Sequence, residues 1–326
     1  MKKLTKIALG AVGAATVGAV SAYAVLNVID NLLVDRKWTV PKSFANKVSG
    51  ADMSSADAVR AVNEAWLENY GYERLMMQSD NGQTLTAYLM KPKKPSKVYA
   101  FCSHGYRSDG RHEYSGIAQY YLRKGFNVVM VDHVASGESD GKYVGFGHYE
   151  FEDCMKWLDF LAEQVGDGVQ FIVHGISMGA ATVMIMSGSD RLNKNVKMIV
   201  SDCGYTSAWN EFEYKLKSLK IQPHPLLELV NEVNKRKAGY DFKDTDALAS
   251  VKNAKVPMLF VHGSADDFVP THMVYEVFDA CGSEEKDVLV IEGADHAQSY
   301  VTDPKTYEAK LDEFISKFIE HEVEVK

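Results

Sequence analysis

Cysteine is scarce in this chain, and none of its cysteines is spaced to share a metal with another. The four that occur, Cys102, Cys154, Cys203 and Cys281, are scattered and form no C-x-x-C pair. That pattern argues against a metal centre and against a dense disulfide framework, and it makes buried free thiols the default expectation. Basic excess is lacking too. Lys and Arg number 36 against 44 Asp and Glu, a formal net charge of −8 over 326 residues. Phosphate binding needs a basic face, so the balance argues against a nucleic-acid partner. The one cluster of lysines, Lys91, Lys93, Lys94 and Lys97, surrounds Pro92 and Pro95 and reads as a solvated loop between strands. There is no internal repeat, and no low-complexity tract apart from one apolar run near the N-terminus.

That run extends from Ile7 to Ile29, 23 residues without a charge, between Lys2, Lys3 and Lys6 on one side and Asp30 on the other. It is long enough to span a hydrocarbon core of about 30 Å. An uncleaved signal anchor is the favoured reading, with residues 1–30 as the membrane segment. Ala22-Tyr23-Ala24 would serve as a small-x-small cleavage site for the alternative, a secreted protein. In both cases the lysines stay cytoplasmic and the remainder is exported.

Residues 31–50 read as a polar tether, followed by an amphipathic helix over 56–70 with Val59, Val62, Ala65 and Trp66 on one face. A hairpin follows, with Asp80-Asn81-Gly82 as its turn between Glu73–Ser79 and Gln83–Met90. Beyond residue 97 short apolar runs alternate with helical stretches. The runs are 98–102, 126–131, 169–173, 196–200, 258–261 and 288–291; the helices are 114–124, 148–165, 178–188, 272–281 and 306–321. Continuous apolar strands separated by helices imply an α/β fold, a mostly parallel sheet covered on both faces. The alternation breaks at about 205–250, where two amphipathic stretches, 207–219 and 226–237, replace a strand. An insertion there would lie across the carboxyl edge of the sheet as a small helical cap. The α/β domain is accordingly placed at 71–326.

Gly175-Ile176-Ser177-Met178-Gly179 sits between the run ending at Val173 and the small-residue stretch Ala180–Met184. A Gly-x-Ser-x-Gly between strand and helix is a nucleophile elbow, which lifts the serine above the sheet and aims a helix N-terminus at it. A serine nucleophile needs an imidazole to take its proton and a carboxylate to orient the imidazole. His296, in Gly293-Ala294-Asp295-His296-Ala297, follows the last strand and is the expected base. The other strand-end histidines, His104, His174 and His262, each precede or begin a glycine turn and read as structural. Asp266 is preferred as the acid over its neighbour Asp267. Asp202, at the end of the strand after the elbow, is a rarer position for it, and Asp295 is expected to face solvent. The oxyanion of the tetrahedral intermediate needs fixed donors. The backbone N–H of Met178 and that of Tyr106, in Ser103-His104-Gly105-Tyr106, are the candidates.

With these pieces the chain resembles the α/β-hydrolases, in particular the exported or membrane-anchored bacterial hydrolases similar to serine aminopeptidase-like and prolyl-oligopeptidase-like enzymes. The resemblance rests on Ser103–Tyr106, on Asp132–Gly141, on the elbow, on the Asp266 turn ending in Val269-Pro270, and on Gly293–Ala297. Together they cover about residues 70–320. It implies that Asp132–Gly141 is a structural loop, although His133-Val134-Ala135 stands where an Arg-Gly-His-like run is commoner. The expected activity is that of a serine hydrolase of carboxylic esters, with a small-molecule ester or peptide as its partner and no cofactor or metal. A peptidase or amidase is the alternative. It would want a cap carboxylate for a substrate ammonium, for which Glu211, Glu213 and Glu228 are candidates. A non-catalytic surface binding module is the alternative from another class.

Overall fold

The apolar runs become strands of one eight-stranded sheet in a computed structural model that describes residues 19–38 and 54–320. The strands are β1 (Glu73–Gln78), β2 (Thr84–Met90), β3 (Val98–Ser103), β4 (Asn127–Asp132), β5 (Gln170–Ile176), β6 (Val196–Asp202), β7 (Met258–Gly263) and β8 (Lys286–Ile291). Their spatial order is β1-β2-β4-β3-β5-β6-β7-β8. The hairpin strand β2 pairs antiparallel with both β1 and β4, and every later neighbour is parallel.

Successive side chains on a strand point to opposite faces, so each run feeds two cores. Phe101, Val129, Phe171, Val173 and Phe260 join one core. Cys102, Met130, Ile172, Val200 and Leu259 join the other. The first is covered by α5 (Glu150–Val165), α6 (Met178–Ser187) and α10 (His272–Ala280); the second by α3 (Gly110–Tyr114), α4 (Ile117–Arg123) and α11 (Pro304–Phe318). Burying a Phe or Leu side chain in such a layer contributes about 2 kcal/mol. All four cysteines are buried and unpaired.

Several boundaries differ from expectation. β5, β6 and β7 run past their apolar stretches to Ile176, Asp202 and Gly263. Their polar ends still pair in register with neighbours, as Ile176 does with Asp202. The helix expected over 114–124 is two helices, α3 and α4, with Ser115-Gly116 between them. The helix expected over 56–70 forms as α2 (Ser54–Tyr70), but of the expected face only Trp66 packs on the second core. Val59 and Val62 are exposed, while Leu67 is buried. Polar bonds seat α2 instead, among them Asn63 with Gln119 and Glu64 with His112. Those polar partners lie on another element, so hydrophobic periodicity cannot find them.

The N-terminal segment departs further. The run 7–29 lies partly outside the described residues, and its described part belongs to α1 (Ala19–Val34). Among the described residues no helix is long and apolar enough to cross a membrane. The helix α1 continues through the boundary expected at residue 30, and residues 31–36 are not a free tether. Asp30 and Val34 are fully buried, and Asp35 bridges Tyr143. Leu26, Ile29 and Leu33 pack on the first core.

Between β6 and β7 the chain inserts α7 (Ala208–Ser218), α8 (Leu226–Lys237) and the short helix α9 (Ala247–Ser250). Ser207 caps α7 by accepting the N–H of Asn210. Phe212 on α7 packs edge-on against Phe242, which stacks the insertion onto Phe146 below it.

Candidate active site

Ser177 sits between β5 and α6 at φ 56° and ψ −115°, a backbone region that non-glycine residues rarely adopt. The surrounding glycines make the turn possible. A Cβ on Gly175 would lie 2.2 Å from the Gly179 carbonyl oxygen, and one on Gly179 would lie 1.9 Å from that of Ser103. No larger residue fits at either position without moving backbone. The Ser177 N–H donates to the Asp202 carbonyl at 2.8 Å, which holds the turn against β6.

The structure brings Ser177, His296 and Asp266 into one hydrogen-bonded line. His296 Nε2 is 2.8 Å from Ser177 Oγ, and His296 Nδ1 is 2.8 Å from Asp266 Oδ2. An ionised carboxylate only accepts, so Nδ1 carries a proton toward Asp266 and Nε2 is left to accept from the serine. Asp266 Oδ1 accepts the N–H groups of Phe268 and Val269, both at 2.9 Å. Burial alone would raise this carboxyl. The attraction to a protonated His296 and the bonds from His262 and His296 outweigh it and hold Asp266 well below the usual carboxylate range. Asp267 is exposed, which separates the two adjacent aspartates by burial.

The remaining acids lie elsewhere. Asp202 accepts from the Tyr307 hydroxyl at 2.8 Å, and burial pushes it up to about 6. Asp295 is half-buried and takes no part in the line. His174 is buried between the Tyr121 and Tyr307 hydroxyls, and desolvation pushes it down to about 3. His104 Nδ1 donates to the Gly105 carbonyl at 2.7 Å, because its Nε2 already accepts the N–H of His133 at 3.0 Å.

Met178 is the first residue of α6, so its N–H has no intrahelical acceptor. Among the described residues neither that N–H nor the N–H of Tyr106 is taken by a protein acceptor. The loop carrying Tyr106 runs against the elbow: a Cβ on Gly105 would lie 3.3 Å from Ser177 Cβ. The Tyr106 hydroxyl is committed elsewhere, donating to the carbonyl of Leu33 at 2.6 Å.

Two supports stand beside the line: His262, expected from the sequence to be structural, and Phe268, which the sequence did not single out. His262 is fully buried, with Nε2 2.9 Å from the Val269 carbonyl and 3.3 Å from Asp266 Oδ2. It braces the turn that carries Asp266. Phe268 packs on the His296 ring at 4.8 Å between centroids, with the Lys215 ammonium of α7 3.9 Å from the Phe268 ring centre. The signal for His262 was its place at a strand end; for Phe268 there was none, since nothing local links it to His296. Of the cap acids, Glu213 pairs with Lys217, and Glu228 pairs with His224. Glu211 is buried with both oxygens unpartnered. Burial pushes it up to about 8, Lys215 opposing and Asp266 reinforcing. Three donors that could meet a metal, from Cys203, Asp266 and His296, lie within 4.8 Å of one another. The last two are already committed to the line with Ser177.

The strand order, the elbow at the end of β5 and the acid and histidine loops after β7 and β8 define an α/β-hydrolase. The sequence profile of the prolyl oligopeptidase family matches residues 112–323, and the chain belongs to that family. Among curated proteins it is similar to the uncharacterized protein YqkD of Bacillus subtilis, 27% identical over 196 residues, which cover 60% of this chain. The match spans 64% of that relative's own length, under two thirds. It is also similar to human monoglyceride lipase, 24% identical over 66% of this chain and 80% of the lipase. Among solved structures, an esterase of Pyrococcus furiosus superposes with a TM-score of 0.63 at 20% identity, over 77% of this chain and 94% of the esterase. Mouse alpha/beta hydrolase domain-containing protein 10 gives 0.57 at 18% identity, over 75% of this chain and 99% of that one.

Proposed function

We propose that the protein is a serine hydrolase that cleaves carboxylic esters of small or medium size through an acyl-enzyme. The line Asp266–His296–Ser177, set on a strained elbow, carries this reading. Ser177 Oγ bonds to the carbonyl carbon while His296 Nε2 takes its proton, and Asp266 holds the imidazole in the tautomer that can do so. The carbonyl oxygen gains the electron pair and is met by the N–H groups of Met178 and Tyr106. On collapse the alkoxide leaves with the proton from His296. A water molecule then repeats the sequence on the acyl-enzyme, yielding the acid and free Ser177.

The esterase and lipase among the similar proteins favour an ester over a peptide bond. Glu211 supports a second reading, a peptidase or amidase, because an unpaired buried carboxyl on the cap could receive a substrate ammonium. A panel of p-nitrophenyl esters against aminoacyl-anilides separates the two, with Ser177→Ala as the control. Ester turnover at least a hundred times faster than anilide turnover supports the first, and the reverse order establishes the second.

We also infer from Lys2, Lys3, Lys6 and the uncharged run 7–29 that the protein is membrane-anchored with its hydrolytic domain outside the cell. A carboxy-terminal reporter active outside the cell supports this, and a signal confined to the cytoplasm overturns it.

A further inference from the structure

The residues before the hydrolytic domain are tied to three segments: the cap helix α8, the loop after β4 and the loop that runs against the elbow. Asp30 of α1 is fully buried against Lys237 of the cap helix α8, with 2.6 Å between carboxylate and ammonium. Arg36 donates to the Ser139 carbonyl at 2.6 Å and to that of Gly137, both in the loop after β4. The Val144 N–H donates to the Val34 carbonyl at 2.8 Å, and the Arg36 N–H donates to that of Lys142 at 2.9 Å. The third attachment is to the loop that carries the Tyr106 amide. The Tyr106 hydroxyl donates to the Leu33 carbonyl at 2.6 Å, and Arg107 donates to the carbonyls of Leu32 at 3.0 Å and Asp35 at 3.3 Å. Arg107 Nε also donates to the Tyr106 hydroxyl at 2.6 Å.

Two physical points give these bonds a role beyond packing. The last carbonyls of a helix have no intrahelical donors and carry partial negative charge, so a guanidinium there is doubly satisfied. Arg107 itself sits at φ 57°, a left-handed conformation that persists only where surrounding contacts impose it. Neighbouring residues of the same loop fix the peptide plane between Gly105 and Tyr106. In a trans peptide the C=O and N–H point in opposite directions. The Gly105 carbonyl is fixed by His104 Nδ1 at 2.7 Å and by the Ser108 N–H at 3.3 Å. The Tyr106 amide is therefore aimed from one end by His104, and the residue is anchored at the other through its own side chain to α1.

We propose that the last turn of α1 is a working part of the site, and that the Tyr106 hydroxyl and Arg107 are positioning residues that hold the Tyr106 amide on the developing oxyanion. This rests on the serine-hydrolase reading given above. A donor that must meet charge only in the transition state changes kcat and not ground-state binding when it loosens.

The test uses the full chain with Tyr106→Phe, which removes one hydroxyl, and Arg107→Ala, with Arg107→Lys as the conservative variant. Each is measured for kcat and KM on a p-nitrophenyl ester and for Ki of an aryl trifluoromethyl ketone, whose hemiketal oxyanion occupies the same place. Amide hydrogen exchange over residues 104–109 is followed in parallel. Arg107→Ala is expected to lower kcat about 10-fold and raise Ki by a similar factor, with KM within about twofold. Tyr106→Phe gives a smaller change in the same direction, and Arg107→Lys recovers part of the loss. Exchange over 104–109 quickens in Arg107→Ala while exchange in β5 and β6 does not. Unchanged exchange, or an unchanged Ki in both variants of an active enzyme, overturns the proposal. A wild type that neither turns over esters nor binds the ketone overturns the hydrolase reading instead, and faster exchange in Arg107→Ala would still uphold the docking.

Discussion

His296 Nε2 and Ser177 Oγ are 2.8 Å apart across 119 residues of chain. The two come from different loops at the carboxyl edge of one sheet, so the contact exists only when β5 and β8 are both in place. An imidazole at that distance, with its other nitrogen on Asp266, gives the serine the base it needs.

Removing either partner tests that dependence. Ser177→Ala and His296→Ala are each expected to lower kcat by about ten-thousand-fold or more, and the double variant by little more than either alone. KM changes little. Stopped assays with a p-nitrophenyl ester measure both constants.

The two adjacent aspartates should separate cleanly. Asp266→Asn replaces a carboxylate by an amide that can no longer fix the His296 tautomer, and kcat is expected to fall about a thousand-fold or more. Asp267→Asn touches an exposed side chain, and kcat/KM should stay within about twofold. Steady-state kinetics on the pair makes the comparison.

The elbow glycines carry a stability prediction. Gly179→Ala places a methyl group 1.9 Å from the Ser103 carbonyl oxygen. Backbone must shift to relieve it, at a cost on the order of 3 kcal/mol or more. A lowered urea midpoint with an unchanged slope is the expected result. Gly71→Ala meets no atom within 4 Å, although its φ of 83° favours glycine, and it should cost less.

Glu211 should make stability fall with pH. Its folded-state carboxyl is pushed up to about 8 from an ordinary 4.5. Between those values the folded state binds a proton that the unfolded state has lost, so stability is fully present below about pH 4.5 and declines as pH rises toward 8. Glu211→Gln keeps the shape and removes the titration. Its Tm should exceed that of the wild type by a margin that widens from pH 5 to pH 8, read by thermal melts at fixed ionic strength.

What could be read in advance follows from how local each signal is. The elbow is a five-residue motif because its glycines are demanded by close backbone approaches, Gly175 to Gly179 and Gly179 to Ser103. The sheet core was legible because parallel strands buried on both faces are apolar throughout. The partners of the polar strand-end side chains were not, since His174 bonds the hydroxyls of Tyr121 and Tyr307 and Asp202 that of Tyr307, all far off in sequence. The docking of α1 was hidden for the same reason. Asp30 reads as the end of an apolar run until Lys237, 207 residues away, supplies its partner. In α2 Val59 and Val62 are exposed while Trp66 and Leu67 pack inward, and the polar bonds of Asn63 and Glu64 to Gln119 and His112 were not visible in the apolar pattern.

The central claim is that Ser177 is an activated nucleophile. Labelling the purified full-length protein with a fluorophosphonate, followed by mass mapping of the adduct, tests it most directly. The account predicts one covalent adduct on Ser177, formed rapidly in the wild type, at least a thousand-fold more slowly in His296→Ala, and not at all in Ser177→Ala. A folded wild type that takes no label, or that takes it on another residue, would contradict it.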